Sequence, residues 1–161
     1  MSLSLELLGA GVAARLASEM PGYADSHFPD KIPDRRTFAK TKTELLVAYE
    51  GSSYGPVQSF EPFSCERTVT ISVTLLVRSL RGPLGAQQTI EAIRDALFVD
   101  PEIWKCPIGG TPLAPVRDEC LGEDQGVWTF VFYFATTTVA VARSATRTGP
   151  TFTEASNEYP P

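Results

Sequence analysis

The sequence predicts an α+β fold: an antiparallel four-stranded sheet from two long hairpins, with two helices packed on one face, in the order α-β-β-α-β-β. Three observations carry that expectation. Residues 66–77 place Val69, Ile71, Val73, Leu75 and Val77 on every second position, with Thr68, Thr70, Ser72 and Thr74 between them, which is the period of a strand. Residues 127–142 form a second long run of the same kind. Residues 2–20 and 84–98 instead repeat apolar side chains at intervals of three and four, the period of a helix with one buried stripe.

In chain order, residues 2–20 carry the stripe Leu5, Leu8, Val12 and Leu16, supported by Ala10, Ala13, Ala14 and Ala17. Ser2 or Ser4 caps the start, and Pro21-Gly22 ends the helix. Gly9 and Gly11 weaken a helix, so they point to the close approach of another backbone. Residues 21–42 have no period and contain Pro21, Pro29 and Pro33, so a loop is expected. Lys31, Arg35, Arg36, Lys40 and Lys42 make this loop the most basic part of the chain. It is either a solvated loop or an electrostatic contact for an acidic neighbour. Residues 43–51 read as a strand with Leu45, Val47 and Tyr49 on one face and Leu46 and Ala48 on the other. Gly51 to Pro56 is turn chemistry, so 51–65 is expected to be a long loop holding Tyr54, Phe60 and Phe63. The long strand follows, and Gly82-Pro83 stops it.

The second helix, 84–98, has the stripe Ile90, Ile93 and Leu97, with Gln87, Gln88, Glu91, Arg94 and Asp95 largely on the far side. Residues 100–112 read as a loop anchored by Trp104. Residues 113–121 are a weaker strand, and Pro115 assigns its start to an edge or a bulge. A turn at 122–126 leads into 127–142. There Trp128, Phe130, Phe132 and Phe134 share one face, and Val127, Thr129, Val131, Tyr133 and Ala135 the other. Periodicity alone does not decide which row meets the helices. With both rows largely apolar, the strand is central or has one face covered by another subunit. Leu46, Ala48 and Leu76 extend the uncovered face, and an exposed apolar face of that size marks an interaction surface. Residues 1–142 are thus expected to form a single domain, and the polar, Pro-containing 143–161 a flexible tail or docking arm.

Composition narrows the function. The 161 residues are 43% hydrophobic and 20% charged, enough apolar material for a packed core. A net charge of -5 disfavours general nucleic-acid binding, which rests on Lys and Arg, and suits a surface that DNA passes without adhering. No apolar run approaches the roughly 20 residues that span a bilayer, and no leader pattern opens the chain, so a soluble protein is expected. Cys65, Cys106 and Cys120 form no CxxC pair, and His27 is the single histidine, so reduced thiols are expected rather than a zinc site. No phosphate-cradling glycine loop is present; the GxG at Gly9 and Gly11 lies within a helix rather than after a strand. Nucleophilic catalysis would need Cys65 or Cys106 beside His27, and neither cysteine carries a nucleophile signature. Asp118, Glu119, Glu123 and Asp124 surround the last turn without calcium-loop spacing. They read as a solvated turn or as a surface that repels another polyanion. No catalytic, cofactor or metal site is expected, which favours a binding or structural protein.

One resemblance sharpens this. A helix, a strand, a long loop, the strand TVTISVTLLVR, the helix QTIEAIRDAL and a final aromatic hairpin, over roughly residues 3–142, resemble the tail-terminator (tail-completion) family of Mu-like phages with contractile tails. The resemblance implies a homohexameric ring at the head-proximal end of the tail. Such a ring caps the tail tube, stops its polymerisation, docks the head–tail connector and touches the last sheath ring, while DNA passes through the lumen without specific binding. It implies a virion protein assembled in the bacterial host cytoplasm, with no enzymatic activity, cofactor or membrane. On that view Lys31, Arg35, Arg36, Lys40, Lys42, Tyr54 and Phe60 belong to a partner interface, and Asp118, Glu119, Glu123 and Asp124 to an acidic lumen surface. The Pro-rich 100–112 and the tail depart from the simplest members of that family. Two alternatives remain: another head–tail connector or tube-like structural protein, or a small-molecule-binding α+β module, which would need a concave pocket.

Overall fold

In the computed structural model, which describes residues 5–27, 43–60, 63–82 and 85–142, seven elements follow one another. They are α1 (Leu5–Glu19), β1 (Ala24–His27), β2 (Glu44–Phe60), β3 (Phe63–Val77), α2 (Ala86–Leu97), β4 (Ala114–Asp124) and β5 (Val127–Val141). The sheet order is β1-β2-β3-β5-β4. The four long strands are antiparallel neighbours, so the expected α+β architecture with its two hairpins and two helices stands. β1 adds to it. This short strand runs parallel to β2, from Ala24 opposite Glu44 to His27 opposite Val47, where a loop was expected. Ala24-Asp25-Ser26-His27 has no alternating apolar pattern, and pairing with an edge already in place makes it a strand.

The helices cover the face that carries Leu45 and Val47 of β2, Val69, Ile71, Val73, Leu75 and Val77 of β3, and Phe132 and Phe134 of β5. The register explains why these rows coincide: Leu45 faces Leu75, and Leu75 faces Phe130. The open choice between the two rows of β5 is thereby decided for the aromatic one. From α1 come Leu8, Val12, Ala13 and Leu16, and from α2 come Ala86, Ile93, Ala96 and Leu97. Fully burying one such Leu, Ile or Val contributes about 1.5–3 kcal/mol, so this layer dominates stability. Polar ties lock the two helices together. Arg15 Nε donates to the Ala96 carbonyl at 3.1 Å, and the Tyr23 and Thr89 hydroxyls share a 2.8 Å bond.

Gly11 shows what the expected close approach is made of. A Cβ there would lie 2.1 Å from Cγ of Pro107, so the glycine makes room for a proline side chain of the 100–112 segment rather than for a backbone. Trp104 of that segment packs against the core as an anchor. The segment then meets β5. Gly110 has a φ of 85°, and a Cβ on it would lie 2.1 Å from the Thr137 carbonyl oxygen. Thr111 N donates to that carbonyl at 2.9 Å.

Two expectations are corrected. Residues 51–60 and 63–65 are strand rather than loop: β2 continues to Phe60 and β3 begins at Phe63. The turn-like Gly51, Gly55 and Pro56 are absorbed as irregularities, with register shifts between Tyr49 and Gly51, Tyr54 and Val57, and Val57 and Ser59. Pro56 lacks an N–H, which an edge tolerates, and β1 covers β2 only as far as Val47. The second correction concerns the face away from the helices. Leu76, Val127 and Val131 are only 3%, 5% and 6% exposed, with Leu46 packed against the first two. The centre of that face is polar: Ser72 donates to Glu50 Oε1 at 2.5 Å, and Tyr133 donates to Glu119 Oε1 at 2.8 Å. The outer face is therefore not the large open apolar surface that its residue types implied, because its apolar residues cluster at one end.

Candidate assembly surfaces

The uncovered apolar side chains lie elsewhere. β3 alternates without interruption, so the face that presents Val77 to Val69 to the helices next presents Arg67, Cys65 and Phe63. Val69 is fully buried; Phe63, six residues earlier, is more than half exposed. Over the same span β2 contributes Tyr54, Val57 and Phe60, and β5 contributes Thr138, Ala140 and Val141. The result is a three-stranded ribbon, an arm formed by residues 51–60, 63–70 and 135–141. Phe60 at its tip is 71% exposed, and Tyr54, Val57, Phe63, Val139 and Val141 each expose more than half of their surface.

The arm is ordered by its own contacts. The Phe60 and Phe63 rings meet edge to face, with centroids 5.5 Å apart. The Arg67 guanidinium stands 5.8 Å from the Tyr54 ring centroid, and its Nε donates to Ser52 Oγ at 3.0 Å. Ala142 N donates to the Phe63 carbonyl at 2.8 Å and holds the end of β5 to the tip. Val57, Phe63, Cys65, Ala140, Val141 and Ala142 line a shallow groove of about 330 Å³ that holds no charged side chain.

The second surface is the opposite edge of the sheet. β4 joins β5 through Gln125 and Gly126, whose φ values of 53° and 79° are those of a two-residue hairpin turn, shorter than the 122–126 turn expected. Glu123 Oε1 accepts a bond from Gly126 N and fastens that turn. Glu119 accepts from Tyr133, while the Arg117 guanidinium sits 4.3 Å from the Tyr133 ring centroid and 3.8 Å from Glu119. The hydrogen bond to Glu119, then burial, then the charge of Glu119 push the Tyr133 phenol above its usual range, against the pull of Arg117. Two of the four acidic residues thus have local structural partners, and Asp118 and Asp124 stand exposed beside them. β4 carries two register shifts, between Pro115 and Arg117 and between Cys120 and Gly122. The residues inside those shifts are Val116 and Leu121, both more than half exposed.

The remaining predicted site residues are placed as follows. Tyr54 and Phe60 lie on the arm. Lys31, Arg35, Arg36, Lys40 and Lys42 lie outside the described residues. His27 is registered with Val47 and Cys65 with Val57, so roughly 30 Å of strand separates them and they form no catalytic pair. Cys106 packs within the main core. No group of three or more His, Cys, Asp or Glu fit to hold a metal ion occurs among the described residues. None of the described helices is long and apolar enough to cross a membrane. A second concavity, about 240 Å³, lies between α2 and β4 and is lined by Ile90, Arg94, Val116, Asp118 and Phe132 among others. Sequence reasoning missed the arm as a structural element, because Gly51, Gly55 and Pro56 carry turn chemistry and Val57-Gln58-Ser59-Phe60 does not alternate.

The sequence profile of the Gp37 protein family matches residues 12–159. Among solved structures, a chain of the virion of a native gene transfer agent particle is similar, with 15% identity and a TM-score of 0.47. That match covers 87% of this chain and 100% of the other. No curated protein matches the chain.

Proposed function

The chain belongs to the Gp37 protein family, and from that premise we propose that it is a structural virion protein of a tailed phage or a related particle, acting as a tail terminator. In this reading six copies form a ring at the head-proximal end of the tail. The ring caps the tube, stops its growth and receives the head–tail connector on one side and the last sheath ring on the other. The observation that carries the reading is the arm. It exposes more large apolar side chains than a lone soluble chain usually concentrates in one place. A ring hides such a surface by repeating one contact until the rotation closes.

The remaining assignments belong to the same proposal. Glu119, Glu123 and Asp124 of the β4–β5 hairpin face the lumen, where a chain of net charge -5 lets DNA pass. Residues 1–142 act as a single domain, residues 143–161 as a docking arm, and the protein is not an enzyme. The basic stretch, with Arg35 and Arg36, contacts an acidic partner. Reversing both charges should weaken incorporation into tails while leaving the melting temperature within about 2 °C of wild type, as surface changes usually do. Unchanged tail assembly in that variant would remove the role given to the basic stretch.

Native mass spectrometry of the full chain, with negative-stain imaging, tests the whole reading. Six-fold rings of finite size are the expected result. A protein that stays monomeric at high concentration and in the presence of the tail-tube protein would defeat it. Long filaments would favour the tube-like alternative.

A further inference from the structure

The geometry points to one intersubunit contact: Val116 and Leu121 of one copy seat in the arm groove of the next, the groove lined by Val57, Phe63, Cys65, Ala140 and Val141. This rests on the ring reading and names the surfaces that would make it.

The occupant is a second copy for four reasons. A ring of identical chains needs two different patches on each chain, each complementary to the other. The sheet supplies them in different places: the arm is the part of β2, β3 and β5 that runs on past the end of β4, and β4 itself forms a border of the sheet. Second, the shapes correspond. The arm presents a groove without charge, and β4 presents two apolar side chains that stand exposed at its register shifts. Bulges re-aim side chains in this way, and they also spoil edge-to-edge strand pairing. Contact through side chains therefore fits β4 better than extension of the sheet.

Third, the charges correspond. Alternation places Arg67 on the groove's face of β3 and Glu66 on the opposite face. β4 carries Asp118 between Val116 and Leu121, and its only base is Arg117 against four acids. Asp118 would meet the arm on its basic side, with Glu119 on the opposite face of β4 and Glu123 and Asp124 at the turn left outside the contact. Residues 51–60 hold no charged side chain at all, so the arm's border lacks the charges that keep a solvent-facing edge from pairing. Fourth, about ten residues at ~3.4 Å each, in three strands ~4.8 Å apart, give the groove's face of the arm on the order of 500 Å², the larger part of the roughly 800 Å² that a stable interface takes from each partner.

Two native thiols mark the two surfaces, since Cys65 lines the groove and Cys120 precedes Leu121 and is exposed. The experiment treats the full-length protein with a short bismaleimide and reads the products by denaturing electrophoresis. A ladder of covalent multimers is expected from wild type, and none from Cys65→Ser or from Cys120→Ser. In parallel, Leu121→Asp and Phe63→Asp should each weaken self-association at least about tenfold by light scattering, because each places a charge in an apolar contact. Circular dichroism verifies that these exposed positions leave the chain folded, and Leu121→Ser serves as the milder variant. A wild-type oligomer that gives no ladder, or that survives Leu121→Asp and Phe63→Asp with the same mass, overturns this contact and leaves the ring reading standing. A wild-type chain that is monomeric throughout overturns both.

Discussion

Glu44 shows how one residue responds to its neighbours. It opens β2 opposite Leu76, in the row that borders the small apolar cluster of Leu46, Leu76 and Val127. Burial raises its carboxyl pKa above the ordinary value of 4.5. The fold therefore disfavours its ionised form. Stability from this group is complete below pH 4.5 and declines as pH rises through the raised value. Glu44→Gln removes that decline. The variant should match wild type near pH 4 and melt higher at pH 7, by no more than about 2 °C, because the group is partly solvated. Thermal melts across pH 4–7 check this, and a variant less stable at pH 7 than at pH 4, relative to wild type, would contradict it. At the same scale the sequence was a good guide wherever a residue's role depended on periodicity. Leu45, Ile71, Val73 and Leu97 are buried as their spacing requires. It was a poor guide at Gly11, where spacing announces a close approach and cannot name Pro107 as the neighbour.

The elements differ in how plainly they were written. β3 was legible because its alternation is unbroken and its covered row is uniformly branched. The distal half of β2 was not, because Gly51, Gly55 and Pro56 carry the chemistry of turns. Its partner strand decides the matter. Once β3 extends to Phe63, the backbone of residues 51–60 is held against it, and the glycines and proline become bulges. The arm should therefore be separable from the core. Replacing residues 54–67 by Asn-Gly would join Ser53 to Thr68, an opposed pair, through a two-residue turn. The shortened chain should remain folded, retaining its far-UV spectrum, and should fail to assemble. A chain that unfolds on losing the arm would show instead that the ribbon belongs to the core. β1 and the acidic hairpin teach the same lesson. Asp118 and Glu119 looked like one acidic cluster, yet they fall on opposite faces of β4, and Glu119 is held by Tyr133 and Arg117.

For the whole molecule, the main core joins α1, α2 and the sheet in one apolar cluster drawn from residues between Leu8 and Phe134. The family match continues to residue 159, beyond that cluster. Deleting residues 144–161 should accordingly leave the melting temperature within about 3 °C of wild type, while weakening attachment to head or sheath in a tail-assembly assay. Loss of the folded baseline in that truncation would assign the segment to the core instead.

What the sequence determined by itself is the fold class, the order of its long elements, the apolar stripes of the helices and the buried row of β3. These follow from hydrophobic period, which acts over a few neighbouring residues and survives without knowledge of the partner. Only the tertiary structure decided that residues 51–60 and 63–65 form a ribbon, that the aromatic row of β5 meets the helices, that the outer apolar residues already bury one another, and that the largest group of uncovered apolar side chains lies on the arm. Those outcomes depend on strand register and on which side chains end up beside each other, and both are settled between residues far apart in the chain.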